Sequence, residues 1–198
     1  MLQSQGKYDK AERMNRRALA GYEKKLGEDH PDTLSSISRL ATVLKDQGKY
    51  KEAESMNRRA LTGREEKLAE DHPDTLTSVS NLASVLQYQG NHEEAERMNR
   101  RALAGREQKL GDDHPDTLTS VWCLASLLAV LQRYEDATAL YKSATAGYRA
   151  RLGEHHPSTV ACSEQFTDML TQMPRLGDED HYYKNALQYQ YAFASLMH

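Results

Sequence analysis

Apolar and polar positions alternate along the chain with the spacing of amphipathic helices. Between residues 31 and 47 an apolar residue recurs at every third or fourth position, which is the period of a helix with one buried face. A glycine at position 48 interrupts this series. A second apolar series with the same period is expected to run from Tyr50 to about Leu68. The two series predict a helical hairpin with apolar positions at Leu34, Ile37, Leu40, Ala41, Leu44, Tyr50, Ala53, Met56, Ala60 and Leu61.

Local signals indicate where these helices begin and end. Pro31 suits the first position of a helix, where its missing N–H costs nothing, and Asp32 complements the positive end of the helix dipole. Gly48 and Gly90 suit the left-handed residue that follows a last helical turn. Because Gln132 replaces this glycine in the third hairpin, at a cost of about 1–2 kcal/mol, we expect that turn to be different or looser.

The whole hairpin recurs with a period of 42 residues. The sequence His-Pro-Asp-Thr-Leu at His30 returns at His72 and His114, and His-Pro-Ser-Thr-Val begins at His156. Residues 50–91 match residues 8–49 at 28 of 42 positions and match residues 92–133 at 27 of 42 positions. Self-similarity of this kind predicts a stacked array of helical hairpins.

Composition narrows the function classes. The 198 residues contain 26 Lys and Arg against 29 Asp and Glu, a net charge of −3, so bulk positive charge for nucleic-acid binding is lacking. The chain contains 38% hydrophobic residues without a long apolar run or a signal-like start, so we expect no membrane association and a cytoplasmic location. Cys123 and Cys162 are expected to be free thiols of a reducing compartment.

The repeated positions resemble the tetratricopeptide repeat (TPR), whose consensus pattern places large, small and apolar residues at fixed positions. The residues at those positions here are Ile37, Leu40, Ala41, Leu44, Ala53 and Ala60. The 42-residue period and the linker from Gly27 to Pro31 resemble the kinesin light chain subclass of this family, over residues 3–173. Residues 53–61 and 72–76 are most similar to the C-terminal repeat arrays of fungal NLR-like (STAND) proteins. The resemblance implies an all-α, right-handed α-solenoid of antiparallel hairpins.

The two ends depart from the regular repeat. Residues Leu2 to Gly6 align with residues 86–90, so we expect the chain to open on the last turn of a truncated hairpin and to be a fragment of a longer array. We predict a TPR array over residues 1–173, followed over residues 174–198 by a degenerate last repeat or C-terminal capping helix. A partner-docking or dimer helix is the alternative for this aromatic segment.

Candidate chemistry outside the repeats is sparse. The four repeated histidines stand one hairpin apart, too far to share one metal ion, so we expect a structural role and no metal site. Arg16, Arg58 and Arg100 each follow a glutamate by four residues, which favours ion pairs within the helix over a basic binding stripe. No nucleophile elbow, phosphate loop or HExxH motif is present, so we expect neither an enzyme nor a cofactor.

Positions where the repeats differ are the candidates for binding. By the resemblance, the first helix of each hairpin lines a concave groove, and its inward residues change from one repeat to the next. The resemblance implies a backbone contact for an asparagine before the Leu-Ala pair of this helix. Trp122 could anchor a bound peptide, or alternatively pack against the last hairpin. The candidate partner-binding residues are Arg39, Lys45, Asn81, Ser84, Tyr88, Trp122, Cys123 and Ser126.

These observations predict a protein-interaction scaffold that binds a peptide or a partner domain, within a larger intracellular signalling protein of the NLR-like kind. Two alternatives remain open. One is a structural module in which the terminal helices of a receptor drive self-association. The other is a cargo adaptor of the kinesin light chain type.

Overall fold

The computed structural model describes residues 2–173, with side chains from residue 7 onward. This part of the chain is helical throughout, with eight α-helices and no β-strand. The helices are α1 (Leu2–Leu26), α2 (Pro31–Asp46), α3 (Tyr50–Lys67), α4 (Pro73–Tyr88), α5 (His92–Leu110), α6 (Pro115–Val130), α7 (Tyr134–Leu152) and α8 (Pro157–Gln172). They divide between two compact units: a first unit that ends at Gly111 and contains α1–α5, and a second unit that begins at Asp112 and contains α6–α8.

The repeated histidines are helix N-caps. The imidazole Nδ1 of His30 accepts the backbone N–H of Asp32 at 3.2 Å. His72, His114 and His156 likewise accept the backbone N–H of the residue two positions later. Each capping side chain satisfies one of the unpaired donors at the start of a helix. The following proline occupies the first helical turn, as the sequence predicts.

The turns inside the hairpins follow the prediction, with one exception. Gly48 and Gly90 take φ values of 77° and 80°, the left-handed conformation expected for them. Gln132 adopts φ 60° at the equivalent position. The Gln132 N–H donates to Ala129 O at 3.0 Å. The equivalent bond in the first hairpin runs from the Gly48 N–H to Lys45 O at 2.9 Å. The expectation of a looser third turn is therefore wrong: the same hydrogen bonds form, and the strain stays within Gln132.

The beginning of the chain also differs from the prediction. α1 runs without interruption from Leu2 to Leu26, so Gly6 lies inside a helix and not at a turn. Residues 2–6 therefore do not form the end of a separate helix. The described residues contain no earlier helix for these residues to pack against, and helical hydrogen bonding simply continues through them. The predicted degenerate repeat or capping helix at residues 174–198 lies outside the described residues.

Small residues at the centre of each hairpin let the two helices approach closely. Ala53 and Ala60 of α3 are completely buried, as are Leu40 and Ala41 of α2. Within the first unit α2 packs against α1, α3 and α4, and α4 packs against α5. Within the second unit α6 packs against α7 and α8. The predicted apolar faces therefore form the cores of the hairpins.

Charged residues on the second helix of the hairpins form a ladder in the first unit. Arg16 of α1 pairs with Glu12 one turn earlier at 2.9 Å and reaches Glu52 of α3. Arg58 repeats the arrangement with Glu54 at 2.9 Å and with Glu94 of α5 at 3.0 Å. The predicted ion pairs within helices are confirmed, and each arginine also links its helix to the next repeat.

No helix between Leu2 and Gln172 combines the length and the apolar character that a bilayer crossing requires. Cys123 and Cys162 are free thiols, as predicted.

Candidate functional site

The candidate partner-binding residues divide between the two units. In the first unit they define the α2–α4 surface: Arg39, Lys45, Asn81, Ser84 and Tyr88. In the second unit they define the α6 surface: Trp122, Cys123 and Ser126.

An exposed aromatic residue dominates the α2–α4 surface. Tyr88, at the end of α4, is 61% exposed, although a large aromatic side chain gains free energy when it is buried. Its ring stacks on Tyr50 with the centroids 5.5 Å apart and the planes at 8°. The Lys45 ammonium lies 5.7 Å from the centre of the Tyr88 ring, within the range of a cation–π contact. Tyr88 is therefore held in one orientation with much of its surface open.

The remaining members of the α2–α4 surface lie beside this aromatic pair on their helices. The backbone carbonyl of Asn81 accepts a hydrogen bond from the buried Asn57 side chain at 3.3 Å. Asn81 and Ser84 are half-buried, whereas Arg39 is exposed. Lys45 and Tyr88 are the two candidates that fix each other's geometry by direct contact.

A buried arginine lies at the other end of α3, about 20 Å from Tyr50, because the two residues are 14 positions apart on this helix. Arg64 of α3 is only 6% exposed. Its Nη1 donates to Ser38 Oγ at 3.2 Å and to Ser78 Oγ, and its Nη2 donates to Ser35 Oγ at 3.3 Å. Burial lowers the pKa of Arg64, an effect that the carboxylate of Asp74 partly offsets. Among residues 7–173 no carboxylate forms an ion pair with Arg64, and its side-chain hydrogen bonds go to serine hydroxyls.

Arg106 occupies the equivalent position one repeat later, on α5. It too is buried, and it donates to Ser80 Oγ at 3.1 Å and to Thr77 Oγ1 at 3.4 Å. Sequence reasoning missed both arginines, because each lies in a run of charged residues that is typical of a solvated helix face. The available signal was the repeat itself, since the same position holds Tyr22 in α1 and Tyr148 in α7.

The α6 surface is fixed by contacts within its own unit. The indole Nε1 of Trp122 donates to Gln165 Oε1 of α8 at 2.5 Å. The Trp122 ring meets Tyr148 edge-on, with centroids 6.2 Å apart. Gln165 also donates to Ser126 Oγ at 3.2 Å. Trp122 is half-buried, so these contacts support the packing alternative while leaving part of the ring accessible.

Tyr148 and Cys162, which lie near the α6 surface, are uncharged at neutral pH. Burial raises the pKa of Tyr148 to about 12 and that of Cys162 to about 11. It raises the pKa of Tyr141 as well. Cys123 is half-buried. A surface of neutral phenol, indole and amide groups favours packing and hydrogen bonding over proton transfer.

Tetratricopeptide repeat family models match almost all of this helical region. One matches residues 1–66, 38–108 and 74–121, and a second matches residues 117–158. The chain belongs to the tetratricopeptide repeat family. No curated protein is a significant match to this TPR sequence.

Solved TPR structures share the fold. The chain is similar to a single-substitution variant of a Podosopora anserina protein described by its "kinesin light chain nearly identical TPR-like repeats", with a TM-score of 0.75, 22% identity, and coverage of 98% of this chain and 91% of that one. A second structure of these Podosopora anserina repeats gives a TM-score of 0.73 at 23% identity, covering 95% and 89%. BtubC (BKLC) from P. vanneervenii gives 0.73 at 20% identity, covering 97% and 76%.

Identities of this size establish the fold alone. The predicted all-α solenoid of TPR hairpins, similar to kinesin light chain arrays, is confirmed. TPR repeats are typically non-catalytic scaffolds that bind proteins or peptides.

Proposed function

We propose that this TPR chain is a protein-interaction scaffold that binds an acidic peptide segment, or a partner domain presenting one, on its α2–α4 surface. The observation that carries the proposal is the buried Arg64 guanidinium, which donates hydrogen bonds to serine hydroxyls and forms no ion pair with a carboxylate among residues 7–173. Arg39, Lys45, Asn81, Ser84 and Tyr88 complete this surface.

Burial of the Arg64 charge costs free energy. A buried cation is stable only when hydrogen bonds or an opposite charge compensate it, and neutral hydroxyls compensate it less well than a carboxylate does. Ser35 and Ser38, which receive hydrogen bonds from Arg64, are themselves only half-buried. A ligand carboxylate that reaches these serines would find a preoriented guanidinium with unused donor capacity.

The second element of the proposal is the Tyr88 ring. Its stacking on Tyr50 removes much of the entropy that an exposed tyrosine would otherwise lose on binding. An aromatic or long apolar side chain of the ligand would cover the exposed part of the ring, since rigid aromatic groups of this kind often anchor interfaces. The proposed ligand therefore combines one acidic side chain with one aromatic or apolar side chain, and the two groups lie about 20 Å apart, because Arg64 is 14 residues from Tyr50 on α3.

The α6 surface is a second proposed contact. Trp122 retains accessible area, and Ser126 and Cys123 flank it on the same helix, so a partner domain would add apolar contacts there. The resemblance of residues 53–61 to fungal NLR-like arrays supports placing this scaffold within a larger cytoplasmic signalling protein. Cargo binding of the kinesin light chain type is a narrower alternative, because of the paired asparagines in that pattern only Asn81 is present.

Fluorescence anisotropy of two labelled peptide pools tests the proposal on the full chain. Each peptide of the first pool carries one tryptophan or tyrosine and two Asp or Glu residues, and the second pool has Asn and Gln in place of the acidic residues. We expect saturable binding of the acidic pool and binding of the Arg64→Gln variant that is about tenfold weaker, because a charge-assisted hydrogen bond is lost.

Matched variants separate binding from folding. Arg58→Gln removes an exposed arginine from the same helix, and is expected to leave peptide affinity unchanged. Tyr88→Ala is expected to weaken binding and to lower the thermal midpoint measured by circular dichroism only slightly, through loss of the stacking on Tyr50. Equal affinity for the acidic and neutral pools, or equal affinity of Arg64→Gln and Arg58→Gln, would contradict the proposed site.

A further inference from the structure

Four helices begin with the same hydrogen bond from a backbone N–H to an imidazole. In each case Nδ1 of the capping histidine accepts the N–H of the residue two positions later, at 3.1–3.2 Å. The helices are α2, α4, α6 and α8, and the histidines are His30, His72, His114 and His156. A ring nitrogen accepts a hydrogen bond only while it carries no proton. All four caps therefore require the neutral form of imidazole.

Protonation of Nδ1 would turn this acceptor into a donor that faces another donor. The backbone N–H at the start of the helix would lose its partner. The new positive charge would also lie beside the positive end of the helix dipole, where a cation is unfavourable. Histidine changes its charge between about pH 8 and about pH 5, so both effects would occur in all four helices over the same narrow range of pH.

Carboxylates on the capped helices modify this response. Asp32 Oδ2 lies 3.7 Å from Nδ1 of His30, and Asp116 makes the same contact with the cap of α6 at 3.9 Å. A protonated imidazole in these two caps would gain an ion pair that partly replaces the lost bond. Ser158 holds the equivalent position in α8. The α8 cap lacks this compensation and is expected to be the most sensitive to acid.

Acidic residues of the linkers precede the caps, and basic residues of the following or preceding hairpin helices hold them in ion pairs. The pairs are Glu28–Arg59 of α3 at 3.4 Å, Asp71–Lys109 of α5 at 2.7 Å, Asp113–Arg151 of α7 at 3.2 Å and Glu154–Arg149 of α7 at 3.1 Å. The linker carboxylates are thus already matched by cations. The response to mild acid is left to the imidazoles and to the aspartates two positions after them.

We infer that the four histidine caps form a proton-sensitive switch, in which mild acidification releases the N-termini of α2, α4, α6 and α8 together. Because the uncapped chain binds these protons more readily than the capped one, the stability that the caps supply is present at pH 8 and is lost as the pH falls. α2 and α4 carry the α2–α4 surface, and α6 carries the α6 surface. Acidification would therefore loosen both surfaces, whatever ligand they bind.

Urea unfolding of the full chain at about pH 8 and about pH 5.5, followed by circular dichroism, tests the inference. The wild-type midpoint is expected to fall by at least about 0.5 M between the two conditions. Asparagine is a good N-cap that does not titrate. The fourfold variant should therefore keep or raise its midpoint at pH 8 and lose most of the fall; it combines His30→Asn, His72→Asn, His114→Asn and His156→Asn. Alone, His156→Asn should remove more of the fall than His30→Asn.

A matched control and a direct readout complete the test. His155→Asn changes the exposed neighbour of the α8 cap and should leave the fall in midpoint unchanged. Nitrogen-15 NMR at pH 8 should show the proton of the four capping imidazoles on Nε2, because Nδ1 accepts the backbone bond. Equal wild-type midpoints at the two pH values would overturn the inference. So would a fall that the fourfold asparagine variant retains, or a proton on Nδ1 of the caps at pH 8.

Discussion

Gly147 lies directly beneath Leu118 in the hairpin of the second unit, so close that a Cβ on Gly147 would fall 2.4 Å from Leu118 Cδ2. A glycine within a helix ordinarily costs up to about 1 kcal/mol relative to alanine. Its presence here follows from the close approach of α6 and α7.

This contact predicts that Gly147→Ala destabilises the protein despite the better helix propensity of alanine. Overpacking of a tight contact costs about 1–3 kcal/mol, so we expect a net loss of about 0.5–2 kcal/mol after the propensity gain. Urea denaturation measures the change. Gly21→Ala is the matched control, because Gly21 has open space around it; this variant should be slightly more stable than the wild type. Stabilisation by both substitutions would contradict the packing argument.

The alanines at the hairpin crossing provide a second prediction. Ala60 is completely buried whereas its equivalent Ala18 is exposed. Ala60→Leu should therefore lower the free energy of unfolding by about 1–3 kcal/mol through overpacking, and Ala18→Leu should change it by no more than about 0.5 kcal/mol. Chemical denaturation of both variants checks the difference. An unchanged stability of Ala60→Leu would show that the crossing tolerates extra volume.

Backbone strain at Gln132 gives a third prediction. Its φ of 60° matches the conformation of the turn glycines, so Gln132→Gly should stabilise the protein by about 1 kcal/mol through relief of strain. The reverse change, Gly90→Gln, should cost a similar amount. Thermal and urea unfolding of the two variants should thus move in opposite directions, and a loss of stability in Gln132→Gly would indicate that the glutamine side chain contributes more than its strain costs.

The loss of folding stability at acidic pH should depend on Glu12. Lys49 is the main cause that holds the pKa of Glu12 at about 2, with further contributions from Arg16 and Gln47. Because this value lies below that of the unfolded chain, the ion pair stabilises the folded state at neutral pH and its contribution disappears as the pH falls from about 4.5 to about 2. Glu12→Gln should flatten the pH dependence of stability in this window, whereas Glu66→Gln, at an exposed position of α3, should not. Parallel pH profiles for the wild type and Glu12→Gln would contradict this assignment.

The repeat made most of the fold predictable from sequence. A 42-residue period, a His-Pro start signal and a glycine at Gly48 and Gly90 are local features, and local features specify helix ends well. The prediction failed at Gly6, where the same glycine signal lies in a continuous helix. A glycine permits a turn, but only packing by a preceding helix makes the turn favourable.

The proposed binding surface was less predictable, because it depends on which charged residues become buried. Arg64 and Arg59 lie in the same charged stretch of α3, yet Arg64 is buried among serines while Arg59 pairs with Glu23 at 2.8 Å. The surroundings of Arg64 come from α2 and α4 and the partner of Arg59 comes from α1, so both depend on residues distant in sequence. Residue type alone carries no information about such neighbours.

The charge ladder of the first unit has a consequence for the genetics of the array. Glu52 and Glu94 stand one period apart and receive the same kind of contact, the first from Arg16 and the second from Arg58. Excision of residues 50–91 would bring Glu94 to the place of Glu52 and Gly105 to the place of Gly63. Arg16 would then contact Glu94 as it contacts Glu52, and Leu34 would pack on Gly105 as it packs on Gly63. A recombination event that removes or duplicates one period therefore leaves a chain whose interfaces are already compatible, and the number of repeats is free to change within a gene without an intermediate that cannot fold.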